Sequence, residues 1–456
     1  MSLTAVAIAN TVRFGLRTAR DVVETTLEAI GTRNQTYHCV TRLLTERALH
    51  MADTLDARIA NGDPVGVLAG VPFGVKDLFD MEGLVTTAGS VVLNSNPPAT
   101  QDAAVVQRLV AAGAIPVATL NMDEFAYGFS TENAHYGTTR NPRNTDCLAG
   151  GSSGGSAASV AAGLLPFALG SDTNGSIRVP ASLCGVWGLR PTQGLLPLDG
   201  VYPFVASLDT VGPFAGTVTD LQRVFEAMNG HALEEIEDVR SLRIARLGGW
   251  FLKDVDPAIL DGIDRILAFF GSHKEVDLAE VARARASAFL ISAAEGGNLH
   301  LPRLRKTPMD YDPATRDRLI AGAMLPSAAV VQAHRFRNWF RTGLHELFEQ
   351  VDVLLAPATP GPAPRIDQAT LSVGGKTVSA RANLGLFTQP LSLGGLPVLS
   401  APLPPAASAS TSGMPLGIQI IAAPGKENVL FAIGKALSHA GLAGYPVLGV
   451  PVPDKD

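Results

Sequence analysis

Charge is scarce in this chain. Only 17% of its 456 residues are Asp, Glu, Lys or Arg, below the usual quarter, while 46% are hydrophobic. That balance calls for a large buried core. The net charge is −6 and the only dense basic run is Arg303–Lys306, so a nucleic-acid surface is not indicated. Cysteine is scarcer still. Cys39, Cys147 and Cys184 are odd in number and widely spaced, so they give neither a disulfide framework nor a zinc pattern, and a reducing, cytoplasmic setting is expected. The nine histidines show no paired ligand spacing, and no metal or cofactor is expected. An unbroken apolar span is missing too. The uncharged runs 147–171 and 382–425 are interrupted by Gly, Pro, Ser and Thr, and the N-terminus has no basic start before its apolar part. Neither a signal peptide nor a membrane anchor is expected.

What is present is alternation. Residues 18–30 open with Thr18 and Asp21 in a capping-box-like pair and continue with helical apolar spacing. Residues 41–59 also read as helix, so residues 1–60 form a helical N-terminal segment. From residue 61 the pattern switches to short apolar runs between helices: "DAAVVQRLVAAGAIPVATLNM" (102–122) is helix, glycine, strand, and "LRIARLGGW" (242–250) is a strand before a helix from Pro257. Residues 313–351 are mostly helical, "VDVLLAP", "GLPVLSAPLP" and "PLGIQIIAA" are late strands, and "ENVLFAIGKALSHAG" closes as a helix. No repeat or linker divides the chain. The expected fold is one α/β domain over 1–456 with a mixed sheet covered by helices.

The stretch "AGGSSGGSAASVAAG" (149–163) holds five glycines and four serines among fifteen residues. A flexible linker has that composition, but this stretch runs directly into an apolar, strand-like segment. A phosphate loop would need a lysine after the last glycine, and Gly155 is followed by Ser156 and Ala157. The remaining reading is a close-packed turn whose serines do chemistry. A second glycine-flanked serine, Ser176, lies in "SDTNGSIRVPA", 24 positions after Ser152. The small residues Thr173, Asn174, Gly175 and Ser176 can aim backbone N–H groups at one point, as an oxyanion hole requires. A serine hydroxyl needs a base, and a desolvated neutral lysine can serve. Lys76, flanked by apolar residues in "GVKDLF", is a candidate. Singly, each residue has a plainer explanation: a surface lysine, or serines in turns. The pattern Gly151–Gly155 also fits G-x-S-x-G, the nucleophile turn of another hydrolase fold. That turn must follow a strand, and "NPRNTDC" (141–147) does not read as one.

Together, "GVPFGVKD", "AGGSSGGSA", "GSDTNGSIRVPASLCGVWGLRPT" and "GMPLGIQII" resemble the amidase signature family of Ser–Ser–Lys amide hydrolases, across nearly the whole chain. The resemblance implies a single large α/β/α domain with the catalytic body in 61–456. It makes Lys76 the base and Ser176 the nucleophile, with Ser152, after a cis peptide bond, as the bridge between them. Within the family, "NMDEFAYGFSTENAHYG" (121–137), "LGGWF", "SAAEGGNLHL" and "QAHRFRNWFR" resemble the 1-carboxybiuret hydrolases, which cleave a small planar acylurea anion and release ammonia. Asn174 belongs to this match, since most of the family has glycine there. The alternatives are the glutaminase component of a tRNA-dependent amidotransferase, or a general small-amide amidase. That glutaminase holds the glutamine α-amine with an aspartate at the position of Gly385, and the carboxylate with an arginine that aligns with Arg318. Arg318 is therefore expected to bind a substrate carboxylate, and Tyr127 to hydrogen-bond a urea group. Gly151 and Ser153 complete the expected substrate contacts. The resemblance further implies a small helical partner subunit, or a homo-oligomer.

Overall fold

The alternation becomes one eleven-stranded sheet. The computed structural model describes residues 4–373, 375–406 and 413–449. The strands are β1 Val40–Leu43, β2 Pro72–Lys76, β3 Ile115–Leu120, β4 Phe167–Asp172, β5 Trp187–Arg190, β6 Thr210–Ala215, β7 Ile244–Leu247, β8 Glu275–Val276, β9 Val353–Pro357, β10 Val398–Pro402 and β11 Gly417–Ala422. Across the sheet they run β1-β3-β2-β4-β6-β5-β10-β11-β9-β7-β8. The triplets β3-β2-β4 and β9-β7-β8 are parallel and every other neighbouring pair is antiparallel, so the sheet is mixed as expected. The central strands are buried along their whole length. Helices therefore cover both faces, which is why these strands read as near-continuous apolar runs rather than as alternating ones.

Two local expectations need correction. Residues 41–59 are not one helix: β1 occupies Val40–Leu43 and the helix spans Thr45–Ala60. β1 pairs antiparallel with β3 at the sheet edge, and Leu44 N–H donates to Val117 O at 2.9 Å. That tertiary pairing overrides a locally helical pattern. Second, 141–147 does contain strand: Asn144–Leu148 forms a hairpin with Arg140–Asn141. The hairpin lies outside the central sheet, so it does not supply the strand a G-x-S-x-G nucleophile turn needs.

The Gly/Ser stretch is no linker. Residues 149–163 are buried throughout, and Gly154–Ala161 is a helix. At the N-terminus, Ala5–Arg13 and Ala19–Tyr37 are capped by Thr4 and Thr18, whose hydroxyls accept from Ala7 N–H and Asp21 N–H. The helix Val281–Leu304 packs against both Pro313–Ala323 and Ser327–Phe348, and with Pro313–Ala323 it contributes Phe289, Ser292 and Arg318 to the pocket described below. The three cysteines are buried and free, and burial pushes the Cys39 and Cys184 thiols up to about 12. Among the described residues, no helix is long and apolar enough to cross a membrane.

Candidate active site

The site lies at the carboxyl ends of the parallel strands β3, β2 and β4, where such sheets characteristically open for ligands. Lys76 ends β2. The β2–β4 register pairs Val75 with Leu169, which brings Ser171 of β4 beside Lys76. Lys76 is fully buried, and its Nζ lies 2.7 Å from Ser152 Oγ, 3.0 Å from Ser153 Oγ and 2.9 Å from Ser171 Oγ. Ser153 Oγ–H donates to Ser171 O at 3.1 Å, so towards the lysine it acts as acceptor. A neutral amine has two protons and one lone pair. Donation to Ser153 and Ser171 leaves the lone pair for the Ser152 hydroxyl. Burial lowers the Lys76 pKa to about 7, against the opposing pull of the Asp123, Asp209 and Asp172 carboxylates. An amine poised there is neutral often enough near pH 7 to take a proton.

The Gly151–Ser152 peptide is cis. Its neighbourhood is held by Asp123, whose N–H donates to Ser152 O at 3.2 Å and whose carboxylate accepts from Thr131 N–H at 2.9 Å and from Arg381 at 3.1 Å. Ser176 faces this segment from the other side: Ser153 N–H donates to Ser176 O at 3.3 Å. Ser176 is buried and lines the pocket. No hydrogen bond joins Ser152 Oγ directly to Ser176 Oγ, so the structure forms the first link of the expected relay and not the second.

The turn carrying Ser176 is organised by Asp172, at the end of β4. Its carboxylate accepts from Gly175 N–H at 2.8 Å and Ile177 N–H at 3.2 Å, and pairs at 2.9 Å with both Arg178 and Arg190. The two guanidiniums hold the Asp172 carboxyl well below the usual carboxylate range despite its burial. Gly175 has φ +135°, and a Cβ there would lie 2.1 Å from Thr388 Oγ1, so only glycine fits. Thr388 Oγ1–H in turn donates to Asn174 O at 2.6 Å. This corrects one expectation: the Gly175 N–H is committed to Asp172 and is not an oxyanion donor. The N–H groups of Thr173, Asn174 and Ser176 make no hydrogen bond to described residues and remain available.

The pocket above Ser176 is lined by Tyr127, Phe129, Asn174, Phe289, Ser292 and Arg318, among others. Ala126, Thr173 and Phe204 also line an adjoining cavity of about 160 Å³ that reaches Ser171 and Asp209. Tyr127 and Arg318 are thus brought to Ser176, as expected. Arg318 stacks 3.6 Å from the centre of the Tyr127 ring and donates to Tyr127 O at 2.8 Å. Burial pulls the Arg318 pKa down and pushes the Tyr127 phenol up. Tyr127 Oη and Asn174 Oδ1 are buried without a partner. Gly151 and Ser153 line neither cavity. A Cβ at Gly151 would lie 2.1 Å from Asp123 Oδ2, and the Ser153 hydroxyl is spent on Lys76 and Ser171. They belong to the scaffold under Lys76 rather than to the substrate wall. Ser171, Asp172 and Ser292 carry site structure that the sequence reading did not single out. All three lie in segments quoted for the family resemblance, "GSDTNGSIRVPASLCGVWGLRPT" and "SAAEGGNLHL", but as part of a motif and not as individual site residues.

Comparison with known proteins places the chain in a family. The protein family described as Amidase matches residues 21–431. AtzE of Pseudomonas sp. (strain ADP), a component of 1-carboxybiuret hydrolase, is 45% identical, covering 97% of this chain and 99% of its own. A glutamyl-tRNA(Gln) amidotransferase component of Lachnospira eligens is 32% identical over 96% of this chain and 98% of its own. A solved structure from a vestigial protein complex bearing on the origins of an s-triazine catabolic enzyme superposes with TM-score 0.92 at 45% identity, over 97% of this chain and 99% of that one. A crystal structure of an amidase gives TM-score 0.88 at 30% identity, over 96% of this chain and all of that one. The chain belongs to the amidase family, as a hydrolase of C–N bonds on a single α/β fold.

Proposed function

We propose that the chain hydrolyses a small carboxylated urea derivative, 1-carboxybiuret or a close relative, and releases ammonia through an acyl-enzyme on Ser176. In this reading Lys76 draws the Ser152 proton and Ser152 draws that of Ser176, whose Oγ bonds to the scissile carbonyl carbon. Rotation of the Ser176 hydroxymethyl about χ1 closes the second link of the relay; catalytic hydrogen bonds are often long before substrate binds. The oxyanion meets the N–H groups of Thr173, Asn174 and Ser176. The proton returns to the leaving nitrogen as the C–N bond breaks, and water then cleaves the acyl-enzyme.

The observation that carries the substrate class is the pairing of Arg318 with a blocked site at Gly385. Arg318 shares the pocket with Ser176 and offers a guanidinium to a carboxylate. A Cβ at Gly385 would lie 2.5 Å from the Phe129 ring, so an aspartate to hold an α-ammonium has no room there. This favours an anion without an α-amine over glutamine. The 45% identity to a 1-carboxybiuret hydrolase component supports the same choice. The test is ammonia release over 1-carboxybiuret, biuret, allophanate, glutamine and simple amides. Preference for carboxylated ureas is expected, and preference for glutamine overturns the reading.

We also place a small helical subunit, or a second copy of the chain, beside it in the cell. Phe14, Leu16, Met309, Met324 and Trp339 are exposed apolar side chains, and similar solved structures come from a protein complex. Co-expression with a neighbouring small open reading frame is expected to raise solubility without altering the Ser176 chemistry.

A further inference from the structure

Asn174 stands two residues before Ser176 and is 7% exposed. Its Nδ2 donates to Ser292 Oγ at 2.7 Å, across the pocket on the helix Val281–Leu304. The Ser292 hydroxyl has a single proton, which goes to Ala288 O at 2.8 Å. Ser292 can therefore only accept from Asn174, and this fixes the amide orientation: the NH₂ faces Ser292, and the other atom is oxygen. That oxygen, Oδ1, is buried and has no partner. The Asn174 backbone is equally constrained, with its carbonyl held by Thr388 Oγ1 and the following Gly175 locked by the Asp172 carboxylate. The residue is thus a rigid, one-sided acceptor on the wall beside Ser176. A pocket with an unpaired buried acceptor discriminates strongly for ligands that bring a donor, because the wrong ligand leaves the acceptor unpaired.

We infer that Asn174, oriented by Ser292, is a specificity residue whose side-chain oxygen accepts a hydrogen bond from the N–H on the acyl side of the scissile carbonyl, opposite the leaving nitrogen, so that the pocket selects ureido compounds over carbon-linked amides. The inference rests on the urea-derivative reading above and adds the group that reads the ureido nitrogen. Ser292 is a positioning residue.

Biuret and malonamide test it, since they differ only by N–H against CH₂ at the central position. Their dissociation constants are measured by calorimetry in the full chain carrying Ser176→Ala, which prevents turnover. The expected result is biuret binding about tenfold more tightly than malonamide, the worth of one neutral hydrogen bond. Adding Asn174→Gly should abolish the preference, and adding Ser292→Ala should weaken it, while Ser292→Thr, which keeps the acceptor oxygen, should restore it. Equal affinity for the two ligands with Asn174 intact overturns the inference. So does a preference that survives Asn174→Gly, or failure of both ligands to bind. The ammonia-release panel with wild-type protein separately decides the substrate reading, so the two can fail independently.

Discussion

At Lys76, the amine and all three serine hydroxyls around it are hydrogen-bonded, whereas in the adjoining pocket Tyr127 Oη and Asn174 Oδ1 are buried without partners. The two regions meet at Ser176 and are built in opposite ways. The lysine cage, the first link of the proposed relay, is complete before any ligand arrives, which spares it the cost in rate of reorganising dipoles at the moment of reaction; only the Ser176 hydroxymethyl has still to turn. The pocket is left polar and incomplete. Each unpaired buried group costs about 1–3 kcal/mol, a cost removed only by a ligand that supplies the missing partner. On the proposed reading the proton-handling groups are fixed in the scaffold, and selectivity is concentrated in a few unpaired atoms and one guanidinium.

The sharpest way to break this division is to remove the nucleophile. Ser176→Ala is expected to lower turnover by at least about a thousandfold, because only water and the oxyanion donors remain. Its thermal melting curve should match wild type. A tenth of wild-type turnover in a clean preparation would contradict the role of Ser176.

The cage itself is tested by a double mutant. Lys76→Ala and Ser152→Ala should each be severe in kcat, and the double variant little worse than Lys76→Ala alone, because the members of one relay are non-additive. Additive losses would mean that Lys76 and Ser152 share no proton path. On the pocket side, Arg318→Ala should cost roughly 2–5 kcal/mol in kcat/KM on carboxylated substrates and much less on neutral amides. Equal losses on both classes would make Arg318 a support for Tyr127, on which it stacks, rather than an anion ligand.

The same contrast decides what could be read from the sequence. The meeting of Lys76 with Ser152, and the place of Ser176 in the adjoining pocket, were legible because each residue sits in a short motif of restricted composition, and so was the mixed α/β sheet, from its buried apolar runs. β1 was not legible. Its edge pairing with β3 is a tertiary contact, and "VTRLLTERAL" looks helical by itself. Ser171 was missed because its own segment says nothing of its neighbour across the sheet; only the β2–β4 register places it on the lysine. Gly175 as an oxyanion donor failed for a related reason. The turn composition was right, but an aspartate three residues upstream takes its N–H. Ser153 and Gly151 were expected to touch substrate, while the bonds of Ser153 to Lys76 and Ser171 and the close approach of Asp123 to Gly151 place them in the scaffold. Ser292 opens a stretch quoted for the resemblance, but its contact with Asn174 follows from the packing of a distant helix.

The claim that a neutral, buried lysine activates Ser176 is tested most directly by labelling that serine at different pH values. The rate of reaction with a fluorophosphonate probe is measured on the intact protein, and the modified residue is identified by peptide mapping. Burial lowers the Lys76 pKa to about 7, so the neutral form is lost as pH falls through that value. The rate should be level above it and fall roughly tenfold per pH unit below it, with the label on Ser176. A rate that stays flat down to about pH 5, or a label on another residue, would contradict the account.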